Sequence, residues 1–515
     1  MLEDKSLMQE MIFIIRNHGV NAEWAVRQAT DRIRSGYLSL NDEYFRDRVS
    51  DIENVVERIL FNLSGDKAFD WNALPQDLVI IGHDFNPSAF AALELQKVRA
   101  LALEAGGRTS HTAIIARSLR LPAAMEIQGF LSEVMTGDLL LVNGDEGQVV
   151  VNPSVERIQK FRGRLEEARS GSIEPAVSQV GAAVTVDGHR LSLQANTELP
   201  HEAHVAKQNG AEGIGLFRSE FLFFAHASGV PSMAEQEETY RMLAREMTPY
   251  PVAIRTLDAG GDKTWVRTES VAEPNPSMGL RGIRLSLRMQ KQFTDQIEAI
   301  LRASSSGKLE IVLPMVSSVE ELWTAKELLE KVRAGIQLEN GKSPDPVPLG
   351  AMIEVPAAVI ALDRLAHEVD FLCVGTNDLI QYMLAVDRDN PYVSHLFQPL
   401  HPSVLKCLSD IAATAKRLKK PVRICGEMSS NPFFAVLFLG MGYPQLSMNP
   451  RFIPAIRKVV SAVAYREAHK IAEQAMTFAT AGEIADFLIE SVSKLVKADL
   501  SAYIYEIRTN LGRAD

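Results

Sequence analysis

The sequence predicts an α/β protein whose C-terminal part is a (β/α)8 TIM-type barrel, preceded by a small α/β domain and a partial helical region. Three observations predict it. Eight short apolar runs recur between about residues 175 and 480, each followed by a helix-like stretch. Polar and charged residues collect at the C-terminal ends of those runs. A chain of 515 residues is also too long for one ordinary core. Hydrophobic content of 46% and charged content of 23% are those of a globular protein. A net charge of −11, without any run of Lys and Arg, excludes a general binder of nucleic-acid backbones but leaves room for a local cationic pocket. The three cysteines, Cys373, Cys407 and Cys425, make neither a disulfide framework nor a zinc motif, which suits a reducing cytoplasm. The first residues lack the order of a signal peptide, and the longest apolar stretch, FFAVLFLGMGY, is too short to span a bilayer, so no membrane insertion is expected.

Residues 1–66 read as helical, because LMQEMIFIIRNH, AEWAVRQATDRI and YFRDRVSDIENVVERILFNL place apolar residues at three-and-four spacing. Residues 67–153 switch to short apolar runs, including DLVIIG, GDLLLVNG and GQVVVNP, interleaved with helical stretches, and form a small α/β domain. Residues 154–174, highly charged with few apolar positions, form a solvated linker helix. The barrel occupies 175–480. A hairpin turning at Asp187-Gly188 leads into its eight strands: LSLQAN, GIGLFRSE, VAIRTLD, EIVLPMV, GAMIEV, FLCVGTND, VRICGE and QLSMNP. Ser317 and Glu320 have capping-box spacing before the helix that follows the fourth strand. Residues 481–515 are a C-terminal helical extension, read as lying on the surface.

At the ends of the barrel strands, Arg218 and Glu220, Arg255 and Asp258, Glu354, Asn377 and Asp378, Cys425 and Glu427, and Asn449 would point into one mouth, the face on which this fold does its chemistry. Any one of these alone is an ordinary surface charge; their convergence is the signal. The arginines, with the glycine-rich GGDK and NPSMGLRGIR between them, supply permanent planar cations and open backbone N–H groups suited to a phosphate. Glu354 and Asp378, on neighbouring strands, could share one hard cation. Cys373 and Cys407 read as core residues, whereas the position of Cys425 near the end of the seventh strand suits a proton donor or a nucleophile. Upstream, EAGGRTSHTAIIARSL sets His111 behind a glycine pair and in front of an apolar helical run. Ser110 is placed to cap that helix, whose positive end favours an added phosphate.

In order along the chain, GGRTSHTAIIARSL, GIGLFRSEFLF, RTLDAGGDK, NPSMGLRGIRL, GAMIEVPAA, FLCVGTNDLIQYMLAVDRDN and ICGEM resemble the phosphoenolpyruvate-protein phosphotransferases, Enzyme I of the bacterial phosphotransferase system. The resemblance implies that His111 takes the phosphoryl group of phosphoenolpyruvate and passes it to a histidine of a small carrier protein, HPr or a paralogue, releasing pyruvate. It implies that Arg218, Arg255 and Arg281 hold the phosphoryl group and that Lys263 is a further contact to the anion. Asn377 and Arg388 would bind the substrate carboxylate, Glu354 and Asp378 would hold Mg2+, and Cys425 would protonate the departing enolate. It further implies a small swivelling domain that carries His111, a hinge in the linker and a homodimer formed through the barrel. Family members begin with a strand and further carrier-binding helices, whereas this chain starts partway through that helical subdomain, so a substantial N-terminal part is expected to be absent. Met125-Glu126 stands where the family shows small or β-branched residues and glycine. A dikinase or synthase that makes phosphoenolpyruvate would need a nucleotide-binding domain, which the sequence lacks. The alternative from another class is a regulatory protein that binds phosphoenolpyruvate without relaying its phosphate.

Overall fold

The computed structural model describes residues 5–39, 59, 63, 77–83, 97–105, 112, 116, 121–144, 147–171, 182–224, 230–259, 275–388, 390, 392–497 and 499–510. The chain divides into two compact units, Met1–Ser154 and Val155–Asp515.

In the first unit, helices Lys5–His18 and Ala22–Ser39 bury Ile14, Ala25 and Ala29 together, with Met11 and Val20 beside them. Most of the third expected helix lies outside the described residues, although Ile59 and Leu63 within it are helical. Strands β1 (Leu78–Gly82), β2 (Val98–Leu103) and β3 (Ala123–Ala124) form a parallel sheet in that order, and β4 (Leu140–Asn143) and β5 (Gln148–Val151) form an antiparallel pair. Sequence reasoning found β1, β4 and β5 but did not single out β2 or β3. VRALAL is rich in Ala and Leu, which favour helix locally, and only pairing with β1 makes it a strand.

Glu126, just beyond β3, has φ of 61°, the left-handed conformation that favours glycine. This explains why a glycine suits that position and shows that the present chain holds an exposed glutamate in the same backbone shape.

The second unit opens with helix Val155–Gly171, whose described side chains are exposed or half-buried, in keeping with a solvated helix. Strand β6 (Ala183–Val184) turns back through Asp187-Gly188 onto β7 (Arg190–Thr197). The parallel strands that follow are β8 (Ile214–Arg218), β9 (Val252–Arg255), β10 (Leu309–Leu313), β11 (Leu349–Ile353), β12 (Phe371–Val374), β13 (Val422–Ile424) and β14 (Gln445–Met448). Each pairs with the next, and β14 pairs with β7, so eight strands close into the predicted barrel.

Alternation along the strands divides the core into two. Leu193, Ile254, Ile311, Ile353, Leu372 and Ile424 belong to the large core beneath the helices. Leu216, Ala253, Val312, Met352, Phe371, Cys373 and Cys425 form a separate buried cluster inside the ring. Gly350 makes room there: a Cβ at that position would come within 2.3 Å of the Phe371 ring. Each large apolar side chain buried in this way contributes about 1.5–3 kcal/mol.

The box before the helix Val319–Asn340 forms one residue later than the spacing suggested. Ser318 is the N-cap and Glu321 reaches back to it, whereas Ser317 contributes its own N–H to Glu321. Two consecutive serines offer two registers, and the structure uses the second. At the other end of the chain, Ala481–Leu495 and Ser501–Asn510 are helices as expected, but Ile484, Leu488, Leu500 and Ile507 are buried in the main core, so the extension is packed rather than superficial.

Candidate active site

The mouth of the barrel gathers charged side chains at, or just beyond, the ends of several strands. Arg218 ends β8 and pairs through Nη1 with Glu198 at 2.8 Å. Arg255 ends β9, is 6% exposed, and lies between Glu220, with which it is hydrogen-bonded, and Asp258, whose Oδ2 is 3.1 Å from its Nη1. Arg281, just ahead of the helix Ile283–Arg288, binds Asp258 with two nitrogens, each at 3.1 Å, and reaches Asp378 Oδ2 at 3.0 Å. Burial works against the charge of Arg281, but the two carboxylates outweigh it and hold its pKa well above the usual value. Asp378 lies in the first turn of helix Thr376–Leu384. Burial pushes its carboxyl up, yet Arg281 and Arg388 more than offset this, so it stays below the usual carboxylate range. Arg388 Nη1 lies 3.5 Å from Asp378 Oδ1.

Glu354 follows β11 directly and is 1% exposed. One of its oxygens accepts the Met315 N–H at 2.6 Å. Met315 has φ of 58°, and Gly282 packs so closely against it that a Cβ there would stand 2.8 Å from the Met315 side chain. This is backbone strain stored at the bond that holds Glu354. Burial, followed by repulsion from Asp378 and Asp258, raises the Glu354 pKa to about 8. A carboxyl disfavoured as an anion by like charges is what a divalent cation would relieve, and hard oxygen donors are the set that Mg2+ prefers. No three carboxylate, imidazole or thiol groups among the described residues come close enough to hold an ion alone. An ion placed at Glu354 and Asp378 would therefore need substrate oxygens and water to complete its shell.

Asn377 faces the next loop, its Oδ1 accepting the Glu427 N–H at 3.1 Å. Cys425 is 2% exposed, with its thiol 3.7 Å from the Gly215 carbonyl, so it sits inside the ring rather than openly in the mouth. Burial, then the neighbouring Cys373 thiol, push its pKa well above the ordinary thiol value. A thiol of this kind is a proton-bearing group near neutral pH, not a ready nucleophile. All three cysteines are free. Asn449 takes no part in the cluster; its side chain caps the turn at Pro450–Phe452. His111, with Gly106, Gly107, Arg108, Thr109 and Ser110, and Lys263 lie outside the described residues, although Thr112 next to His111 is helical.

Sequence reasoning passed over the residues that brace the cluster. Tyr382 accepts from Arg281 Nη1 at 3.1 Å and donates to the Ser277 carbonyl. It lies four residues after Asp378 on the same helix, a spacing that puts both on one face and could have revealed it. Behind Arg255, Ser219 donates to the Arg255 carbonyl at 2.6 Å and accepts from Gln296 at 2.9 Å. Gln296 in turn binds the Tyr240 hydroxyl at 3.1 Å. Gln296 and Tyr240 come from different helices and carried no local signal.

Three family models match in order: "PEP-utilising enzyme, N-terminal" over residues 1–48, "PEP-utilising enzyme, mobile domain" over 74–147, and "PEP-utilising enzyme, PEP-binding domain" over 174–465. Phosphoenolpyruvate-protein phosphotransferases from Bacillus sp. (strain S) and Geobacillus stearothermophilus are each 37% identical over 492 residues, 96% of this chain and 85% of theirs. The protein of that name from Haemophilus influenzae is 36% identical over 489 residues, 95% of this chain and 85% of its own. No helix among the described residues is long and apolar enough to cross a membrane.

Proposed function

Since the chain belongs to the phosphoenolpyruvate-protein phosphotransferase family of PEP-utilising enzymes, we propose that it transfers the phosphoryl group of phosphoenolpyruvate to its own His111 and then to a histidine of a small carrier, HPr or a paralogue, with release of pyruvate. The observation that carries this reading is the convergence of Arg255 and Arg281 with Glu354 and Asp378 at one end of the barrel. These groups suit an anion bearing both phosphate and carboxylate.

In this reading Arg218, Arg255 and Arg281 hold the phosphoryl oxygens and offset the charge that develops on them as the group moves. Lys263 adds a further cation to the same anion. Asn377 and Arg388 orient the carboxylate. Glu354 and Asp378 hold Mg2+, which when bound would neutralise charge on the substrate's phosphate and carboxylate oxygens. Asp258, shared by Arg255 and Arg281, fixes the spacing of the two cations. Cys425 gives its proton to the methylene carbon of the departing enolate.

His111 suits its role because a neutral imidazole is nucleophilic near pH 7 and forms a labile N–P bond. The acceptor histidine belongs to one compact unit and the barrel to the other, so segment 154–174 is the proposed hinge. The working form is proposed to be a cytoplasmic homodimer joined through the barrel, acting at the first step of a phosphotransferase system for sugar transport.

The test is to incubate the purified chain with Mg2+ and phosphoenolpyruvate labelled in its phosphate, with His111→Ala as control. Acid-labile label on the wild type alone supports the reading, and passage of that label to added HPr supports the relay. A folded wild type that binds phosphoenolpyruvate yet takes no label overturns it in favour of a binding protein.

A further inference from the structure

The barrel interior contains a charge that the proposed chemistry leaves unused. Arg423 on β13 points into the ring and is 3% exposed. Its guanidinium lies 4.6 Å from the centroid of the Phe371 ring, one nitrogen is 2.5 Å from Glu310 Oε2, and another is 3.3 Å from Gln194 Oε1. Phe371 can occupy the ring because Gly350 beside it has no side chain. Two residues on, and therefore on the same face of the strand, is Cys425. A strand rises about 3.3 Å per residue, which puts the two Cα atoms about 7 Å apart. Cys373, paired with Arg423 across β12 and β13, shares the inner cluster with Cys425. Inside the ring, Arg423 and Cys373 thus lie side by side, one step nearer the floor than Cys425.

That order bears on the protonation step. When Cys425 gives its proton to the enolate carbon, the S–H bond breaks, a C–H bond forms, and the electron pair of the S–H bond stays on sulfur. The sulfur becomes a thiolate buried among Leu216, Met352 and Phe371, where an uncompensated charge is costly. Arg255 is already flanked by Glu220 and Asp258 and is assigned to the substrate phosphate. Arg423 is the remaining cation on the thiol's own strand.

We infer that Arg423 is a positioning residue for the protonation step, its buried charge stabilising the thiolate left on Cys425 until water returns the proton after pyruvate has gone. The inference rests on the assignment of Cys425 as proton donor. The thiol responds to Arg423 in the expected sense: burial and Cys373 raise its pKa, and Arg423 and Arg255 draw it down. Glu310 holds the guanidinium in place and is itself partly exposed, so its opposing charge is better screened than that of Arg423.

The experiment uses phosphoenolpyruvate bearing one deuterium at a defined methylene position, turned over in tritiated water with the full chain, Mg2+ and HPr. The configuration of the pyruvate methyl group is then determined. Wild type is expected to give a single configuration, because protonation occurs on the enzyme from one face, and Cys425→Ser a mixed one.

Arg423→Met is expected to slow protonation on the enzyme by roughly tenfold or more, the effect of a unit charge at this range in a partly screened interior. Enol then escapes and is protonated in solution from both faces, giving mixed pyruvate, and Arg423→Lys restores the single configuration. A folded Arg423→Met protein that keeps both the single configuration and the wild-type rate overturns the inference. Glu310→Gln serves if Arg423→Met does not fold: it keeps the cation, so it should lower thermal stability and leave the configuration single, and a mixed product from it would show that the pair acts only as scaffold. Absence of label on wild-type His111, or a single configuration from Cys425→Ser, would instead count against the underlying functional reading.

Discussion

Replacing Glu354 by glutamine separates the cost of the site from its use. The unfolded carboxyl ionises near 4.5, whereas the folded one holds its proton to about 8. Between those values the unfolded chain has released a proton that the folded chain still binds, so stability falls as pH rises through the window and levels off above it. The slope is about 1.4 kcal/mol per pH unit, or about 3 kcal/mol between about pH 5 and about pH 7.5 as an upper limit. Asp378 acts in a separate window: its depressed pKa contributes stability above the usual carboxylate range that is lost as pH falls through the folded value.

Glu354→Gln preserves an oxygen for the Met315 N–H and cannot ionise. In metal-free buffer the variant should therefore be more stable than wild type at about pH 7.5, nearly equal to it at about pH 5, and no longer stabilised by Mg2+. The assay is urea unfolding of the barrel transition at both pH values, with and without Mg2+. For wild type, Mg2+ affinity should tighten up to tenfold per pH unit until about pH 8, because binding displaces the retained proton. Wild type and variant with equal pH dependence would refute the argument that Glu354 stores repulsion which the cation relieves.

Other substitutions test the rest of the site. Arg281→Met leaves Asp258 and Asp378 buried without their shared cation; a loss of about 3–5 kcal/mol in denaturant midpoint measurements is expected, together with loss of phosphoenolpyruvate binding by calorimetry. Gly426→Ala would set a Cβ 1.6 Å from Thr376 Oγ1 and 2.8 Å from the Thr376 backbone nitrogen, displacing the turn between Cys425 and Glu427. His111 labelling by phosphoenolpyruvate should fall by about 100-fold in a protein that still folds, as a displacement of about 1 Å at a reacting group implies. Glu126→Gly relieves a left-handed residue at the expense of some chain entropy, and thermal denaturation should report a gain of about 0.5 kcal/mol with labelling unchanged.

How far each element could be read in advance depended on how local its cause was. The eight barrel strands were legible because each is a short apolar run that ends in polar residues, a pattern contained within about eight positions. The serine cap was legible to within one residue, since Ser317 and Ser318 offer the same chemistry and spacing alone does not choose between them. Strand β2 was not legible, because VRALAL is helix-like by composition and becomes a strand only beside β1.

The sequence by itself determined the barrel, the family and the set of strand-end residues, because short-range periodicity and ordered motifs survive without any knowledge of contacts. Only the tertiary structure decided what those residues do to one another. Barrel formation sets Arg281 between Asp258 and Asp378, buries Glu354 beside Asp378 so that its pKa rises, and turns Arg423 toward Glu310 and the Phe371 ring inside the barrel. Charge and burial act through space at a few ångströms, and residues more than a hundred positions apart become neighbours only when the sheet closes: Glu310 and Arg423 are an ion pair at 2.5 Å that no window of sequence contains.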